Sequence, residues 1–184
     1  MRSVLRKKVL GLLLIFPFIL SGCTGISKNS NDVVTDSDVK RAKVSTHFAI
    51  VLVKGVKTGD AIKSKIEDLQ LETEPVLTDR DLISYKWKDH ELELRQGFDL
   101  YKLLGRVPTD GLPFVVIADD KRVYLGAFWT SISSVSASIP VILDPKKVIK
   151  IYEGYPGKLT NDQLDPRSDK RIYNALKSIG KIKE

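Results

Sequence analysis

The chain carries one cysteine, Cys23, at the end of an N-terminal segment unlike the rest of it. Arg2, Arg6, Lys7 and Lys8 make a basic start with no acid, and residues 9–20 follow as an apolar run interrupted only by Gly11 and Pro17. A membrane-spanning helix needs roughly 20 apolar residues, so this run is too short to cross and has the length of a secretory signal. The basic flank holds the N-terminus on the cytoplasmic side while the remainder is exported. A buried helix of a cytosolic protein is the weaker reading, because the run has no polar face. With no second thiol, the folded part forms no internal disulfide even in an oxidising compartment, and packing alone must hold it.

The end of the segment, Leu20-Ser21-Gly22-Cys23, resembles the lipobox of bacterial lipoproteins: a large aliphatic residue, two small residues, then cysteine. The thiol is the nucleophile that can form a stable thioether with a diacylglyceryl group, and small residues let a peptidase reach the backbone before it. The resemblance implies cleavage between Gly22 and Cys23, a lipidated Cys23 as mature N-terminus with an α-amino group open to acylation, and anchoring on the extracytoplasmic face of the cell membrane. The competing reading is an ordinary signal peptide with an incidental cysteine.

Three segments follow: 1–22 as signal peptide, 23–40 as lipidated N-terminus and tether, and 41–184 as a globular domain. Residues 24–40 are polar and aperiodic, and a coil of about 20 such residues spans roughly 25 Å. The 162 residues left after cleavage are enough for one domain with a core. Four of the 30 Lys and Arg and none of the 23 acids precede Cys23, so the net charge of +7 falls to +3. Basic and acidic residues are interleaved, which argues against a nucleic-acid partner. Two histidines and one cysteine give no metal-ligand spacing, and no cofactor or metal is expected. The domain is expected to be a monomer.

Residues 47–53 form a continuous apolar run, expected as a strand covered on both faces. Thr58 is a plausible N-cap for a helix over 59–69, with Ile62, Ile66 and Leu69 on one side. Ile83, Tyr85 and Trp87, then His90, Leu92 and Leu94, alternate about Lys88-Asp89 as a hairpin. A short helix over 99–104 closes at Gly105. Strands are expected at 114–118 and 122–129 around Asp119-Asp120-Lys121, and at 140–143 and 148–152. Ser168 caps a terminal helix that turns Ile172, Leu176 and Ile179 inward, with Lys177, Lys181 and Lys183 toward its C-terminal end. This order predicts an α+β fold: a single domain with a largely antiparallel mixed sheet and two to three helices.

Catalytic signals are sparse. No Gly-x-Ser-x-Gly elbow is present, and His90 reads as a partly buried structural histidine better than as the base for a serine among residues 131–138. His47 begins a strand as an edge residue. Asp79/Asp81 and Asp119/Asp120 read as solvated turn acids rather than a glycosidase-type pair. The stretch 111–142 is the most distinctive, and it is similar to stretches of small exported bacterial proteins, a likeness that carries no activity. Its strand ends in Tyr124, Phe128 and Trp129, and residues 130–138 follow with six hydroxyl residues in nine. Aromatic planes beside hydroxyls suit a ligand site, against which stands the plainer reading of core aromatics and a solvated loop. Any contact is expected at Tyr124, Phe128, Trp129, Thr130, Ser133 and Ser134, with one aromatic face at least partly exposed and a gap at Gly126 about one side chain wide. The leading function is a membrane-anchored surface lipoprotein with a non-catalytic domain that binds a cell-envelope ligand or partner. A small tethered envelope hydrolase using His90, and an immunity or inhibitor lipoprotein, are the alternatives.

If Cys23 carries the anchor, Cys23→Ser releases the protein or leaves it as unprocessed precursor, since two acyl chains at about 0.8 kcal/mol per buried CH₂ hold what one chain holds only marginally. Membrane fractionation after a salt wash checks this; a variant processed at Gly22 that stays membrane-bound contradicts it.

Overall fold

The apolar runs read from the sequence become the middle of a wide sheet. The computed structural model describes residues 46–145, 148–157 and 164–184, all within one compact unit, Lys43–Glu184. Its elements are β1 (Phe48–Leu52), α1 (Thr58–Ala61), β2 (Leu77–Thr78), β3 (Leu82–Lys86), β4 (Glu91–Leu94), α2 (Leu100–Leu104), β5 (Leu112–Ala118), β6 (Lys121–Trp129), β7 (Val141–Leu143), β8 (Val148–Tyr152), a 3-10 turn (Pro166–Ser168), α3 (Lys170–Ser178) and β9 (Ile182–Lys183). The nine strands form one mixed sheet in the order β2-β1-β5-β6-β7-β8-β4-β3-β9. Only β6–β7 and β3–β9 pair in parallel among the described residues. The fold is α+β with a largely antiparallel sheet, as the order of sequence patterns predicts. No helix among the described residues is long and apolar enough to cross a membrane.

The sheet curls around α3. This helix touches β1 and β5 near one end of the strand order and β9 at the other. Its buried stripe, Ile172, Ala175 and Leu176, joins Phe48, Ile50, Phe114, Val116, Tyr124, Phe128, Leu92, Ile149 and Ile151 in one core. The convex side is covered too. Val53 and Val115 pack under Ala61 and Leu69, and Ala127, Trp129 and Val141 pack under Ala137 and Tyr155. Central strands with two dry faces explain why these runs are apolar throughout rather than alternating.

Local chemistry sets several boundaries as expected. Asp119 and Asp120 both adopt positive φ, 45° and 61°, the backbone a tight hairpin between β5 and β6 needs. Asp99 caps α2 by accepting from the Lys102 N–H at 3.0 Å, and Gly105 ends it at φ 64°.

Other expectations are corrected. The helix over 59–69 is one turn long, and Thr58 does not cap it through its side chain. Arg122 Nη1 donates to the carbonyls of Ile66, Glu67 and Leu69, at 3.0 and 2.8 Å for the last two. Those oxygens stay in a turn arrayed round one guanidinium. A bulge between Leu82 and Ser84 turns Ile83 outward and buries Ser84, which donates to Glu93 at 3.0 Å. A second bulge in the β5–β6 pairing, between Val116 and Ile117, places Val123 with the α3 core instead of with Leu125. Asp169, not Ser168, caps α3, accepting from the Arg171 N–H at 2.8 Å. Beyond it Lys181 donates to the Leu82 carbonyl and Lys183 pairs with Glu93 from β9. Asp79 is buried and accepts from the His47 N–H at 2.8 Å, so it is not a solvated acid.

The gap expected at Gly126 is filled. Phe114 lies opposite in the β5–β6 register, and its ring packs on Phe128 with centroids 4.8 Å apart. A Cβ on Gly126 would stand 2.6 Å from that ring and 2.9 Å from the Pro140 carbonyl oxygen. Gly126→Ala should therefore destabilise the domain by about 1–3 kcal/mol, the usual cost of overpacking. Phe114→Leu should cost less in the Gly126→Ala background than alone. Thermal melts of the four-member cycle read this; additive losses would contradict the contact.

Candidate functional site

Tyr124, Phe128 and Trp129 are 5%, 0% and 2% exposed, so neither aromatic face of β6 is free. The alternation is as expected, with Tyr124 and Phe128 in the α3 core and Trp129 opposite, but both sides of this strand are covered. Thr130 is half-buried and Ser134 exposed. Ser133 is buried, donates to the Thr109 carbonyl at 2.5 Å and accepts from the Val135 N–H at 3.1 Å, which makes it a loop-closing residue. The aromatic-plane site expected here is replaced by packing, because residues 130–139 fold back over the sheet instead of standing off it. Gly22, Cys23 and residues 24–40 lie outside the described residues.

A different constellation forms where β3–β4, β8 and the 3-10 turn meet. His90 closes the β3–β4 hairpin at φ 53°, a left-handed conformation that a residue with a Cβ keeps only when its contacts hold it. Its Nδ1 is 2.9 Å from the Tyr85 hydroxyl, and its Nε2 is 3.5 Å from Asp165 Oδ2. Trp87 stands edge-on to the imidazole at 5.9 Å and to Tyr173 at 5.1 Å. Asp165 accepts from Arg167 Nε at 2.8 Å and Nη2 at 2.7 Å, and Arg167 Nη1 donates to the Ile151 carbonyl at 2.7 Å. With the His90 proton on Nε2, Nδ1 accepts from the Tyr85 hydroxyl and the Nε2–H faces the Asp165 carboxylate at 3.5 Å, an electrostatic contact longer than an ordinary hydrogen bond.

The electrostatics follow from burial and one guanidinium. Burial, then the Arg167 charge, hold the His90 pKa below its ordinary 6.5, against the pull of Asp165. Burial alone would raise the Asp165 carboxyl, but the Arg167 hydrogen bonds and charge outweigh it and leave the group below its ordinary 3.8. Burial pushes the Tyr85 phenol well above its usual range, so it stays protonated. At neutral pH the cluster is a neutral imidazole and phenol beside a fixed ion pair. No serine or threonine hydroxyl is hydrogen-bonded to either histidine among the described residues. His47 meets Asp119 at 2.9 Å on the surface. Among the described residues no three His, Cys, Asp or Glu side chains are grouped to hold a metal ion.

Two cavities flank the ion pair. One, of about 450 Å³, is lined by Leu143, Tyr152, Tyr155 and Pro156, with Lys150, Glu153 and Arg167 as its charged members. The other, of about 320 Å³, reaches Asp165, Glu153, Leu125 and Pro140. The first has the size and mixed lining of a small-molecule site. None of Tyr85, Tyr152, Tyr155, Asp165 and Arg167 is among the site residues expected from the sequence, where Tyr85 reads only as a strand residue of the hairpin. A usable signal exists: Asp-Pro-Arg at 165–167 and Asp-Lys-Arg at 169–171 repeat an acid two residues before an arginine, and in both the acid caps a turn and clasps that arginine.

No family model, curated protein or solved structure matches this chain.

The cluster makes stability pH-dependent with a definite sign. Below 6.5 the unfolded chain protonates His90 while the folded chain resists, so stability falls as pH drops from 7 until the folded value is passed. Asp165 adds a second loss only below 3.8. His90→Gln should flatten the first window and leave the second. Melting temperatures from pH 7.5 to 3 test this; an unchanged slope between pH 7 and 5 in the variant contradicts it.

Proposed function

We propose that this chain is a lipid-anchored protein of the bacterial cell envelope whose domain is a binding module, with the cavity between β7–β8 and the 153–157 loop as its binding place. The observation that carries the reading is the contrast between the two sites. The histidine–acid cluster is committed within the fold: the Tyr85 hydroxyl bonds Nδ1 of His90, Asp165 Oδ2 stands 3.5 Å from Nε2, and Arg167 holds the carboxylate. The neighbouring cavity presents Tyr152, 39% exposed, with Tyr155, Leu143 and Pro156 as an apolar wall. Lys150 and Glu153 bring one charge of each sign to its edge. Such a lining suits a ligand or peptide segment with an apolar body and polar ends. The Leu20–Cys23 box supports the anchor, which would keep the module near the membrane surface.

The hydrolase alternative keeps one supporting observation: Asp165, beside His90, lines the 320 Å³ cavity. Site-specific photo-crosslinking in intact cells separates the readings. A photoreactive side chain at Tyr152 should give an adduct in both the native and His90→Gln backgrounds, and one at Tyr101, exposed on α2, should not. No adduct at 152, or an envelope hydrolase activity lost in a natively folded His90→Gln variant, would overturn the binding reading.

A further inference from the structure

The cavity at Tyr152 is lined by charges of both signs, and each sign is in surplus around one of its residues. On β8, Lys150 and Tyr152 alternate to the face away from the α3 core, which Ile149 and Ile151 enter. The β4–β8 register sets Glu91 opposite Lys150, 3.6 Å away, and Glu91 also holds Lys86 at 3.3 Å. Around Lys150, two ammonium groups therefore share one carboxylate. Around Glu153 the balance is reversed. Arg167 is clasped by Asp165 at 2.7 Å, and the charge of Glu153 reaches the same guanidinium. Two carboxylates share one cation there. Lys150, Glu153 and Tyr152 are all open to solvent at least in part, so an occupant of the cavity can meet them.

The lining decides the ligand. An anion with no cationic group would face the surplus carboxylate at Glu153, and a cation with no anionic group the surplus ammonium at Lys150. A neutral apolar body would desolvate both without pairing either. A ligand with one anionic end, one cationic end and an apolar part answers the whole wall, because Leu143, Tyr155 and Pro156 complete it with Tyr152. The strand rise puts positions 150 and 153 at most about 10 Å apart. Two or three extended residues span roughly 7–11 Å, whereas a single amino acid carries both charges on one carbon. The cavity volume of about 450 Å³ equals about fifteen waters at roughly 30 Å³ each, which admits a peptide of that length and no folded partner.

We propose that the Tyr152 cavity binds a di- or tripeptide with free ends and an apolar or aromatic side chain, its carboxylate at Lys150, its ammonium at Glu153 and its side chain against Tyr152 and Tyr155. This rests on the binding reading above and adds the ligand class to it.

The test titrates the full-length ¹⁵N-labelled chain, in detergent micelles, with alanyl-phenylalanine, its N-acetyl form, its C-terminal amide and phenylalanine alone. The free dipeptide should move the amide signals of Lys150, Tyr152 and Gly154 saturably. Blocking either end should weaken binding about tenfold, the scale of one hydrogen bond to a charged group, and phenylalanine should bind more weakly than the dipeptide. Glu153→Gln should bring the free and N-acetylated dipeptides to equal affinity, and Lys150→Gln should do so for the free and amidated ones. Amide signals unchanged outside the cavity show each variant to be folded; the series on the native chain decides by itself if a variant does not fold. The ligand class is overturned if a blocked dipeptide or phenylalanine binds as tightly as the free dipeptide, or if a folded Glu153→Gln variant keeps the full preference for a free amine. It is also overturned if no probe moves these signals while the photo-adduct at position 152 still forms in cells, an outcome that leaves the binding place standing. Absence of that adduct overturns the binding place and the ligand class together.

Discussion

The structure depends on the burial of one helix stripe in the hollow of the sheet. Ile172, Ala175 and Leu176 are fully buried, and the helix that carries them touches strands from both halves of the strand order. Burying an Ile or Leu side chain contributes about 1.5–3 kcal/mol, and removing one from such a position costs about 2–5 kcal/mol. Without α3, the inner faces of β1, β5 and β8 would meet water. The approach of the helix is fixed by polar bonds. Asp165 caps the 3-10 turn, Asp169 caps α3, and the two following arginines donate to strand carbonyls, Arg167 to Ile151 at 2.7 Å and Arg171 to Arg122 at 3.1 Å.

That arrangement bears on function because it commits Asp165 and Arg167 to the fold. A carboxylate clasped twice by its arginine is set beside a neutral imidazole whose hydroxyl partner is Tyr85, and among the described residues no serine or threonine hydroxyl is paired with it. Cavities lie on either side of the ion pair, one reaching Arg167 and the other Asp165. In the binding reading proposed above, Tyr152 and Tyr155 would be carried on β8 and the loop after it, and a binding surface is more precise when the strands that carry it have core on their other face.

The order of strands was legible in the sequence where short-range chemistry decides it. The apolar runs of β1 and β5, the Asp119-Asp120 turn and the Asp99–Gly105 helix all follow from residues within a few positions of one another. What was not legible depends on partners far along the chain. The helix over 59–69 stops after one turn, and the carbonyls of Ile66, Glu67 and Leu69 beyond it are gathered by Arg122, more than 50 residues away. The aromatics of β6 lose their expected exposure because α3 covers one face and residues 130–139 the other. β2 and β9, two residues each, carry no periodicity to read. His90 was legible as a buried structural histidine, but its partner Asp165 lies 75 residues on, visible only as an acid before proline.

Native-state hydrogen exchange tests most directly whether the sheet closes on α3. The amides of Ala175 and Leu176 should exchange only through global unfolding, with the same free energy as those of β5 and β6, while β2 at the sheet edge opens at lower cost. If the α3 amides exchange at a markedly lower free energy while β5 and β6 stay protected, the helix is an appendage to a self-sufficient sheet, and it is not what holds the domain together.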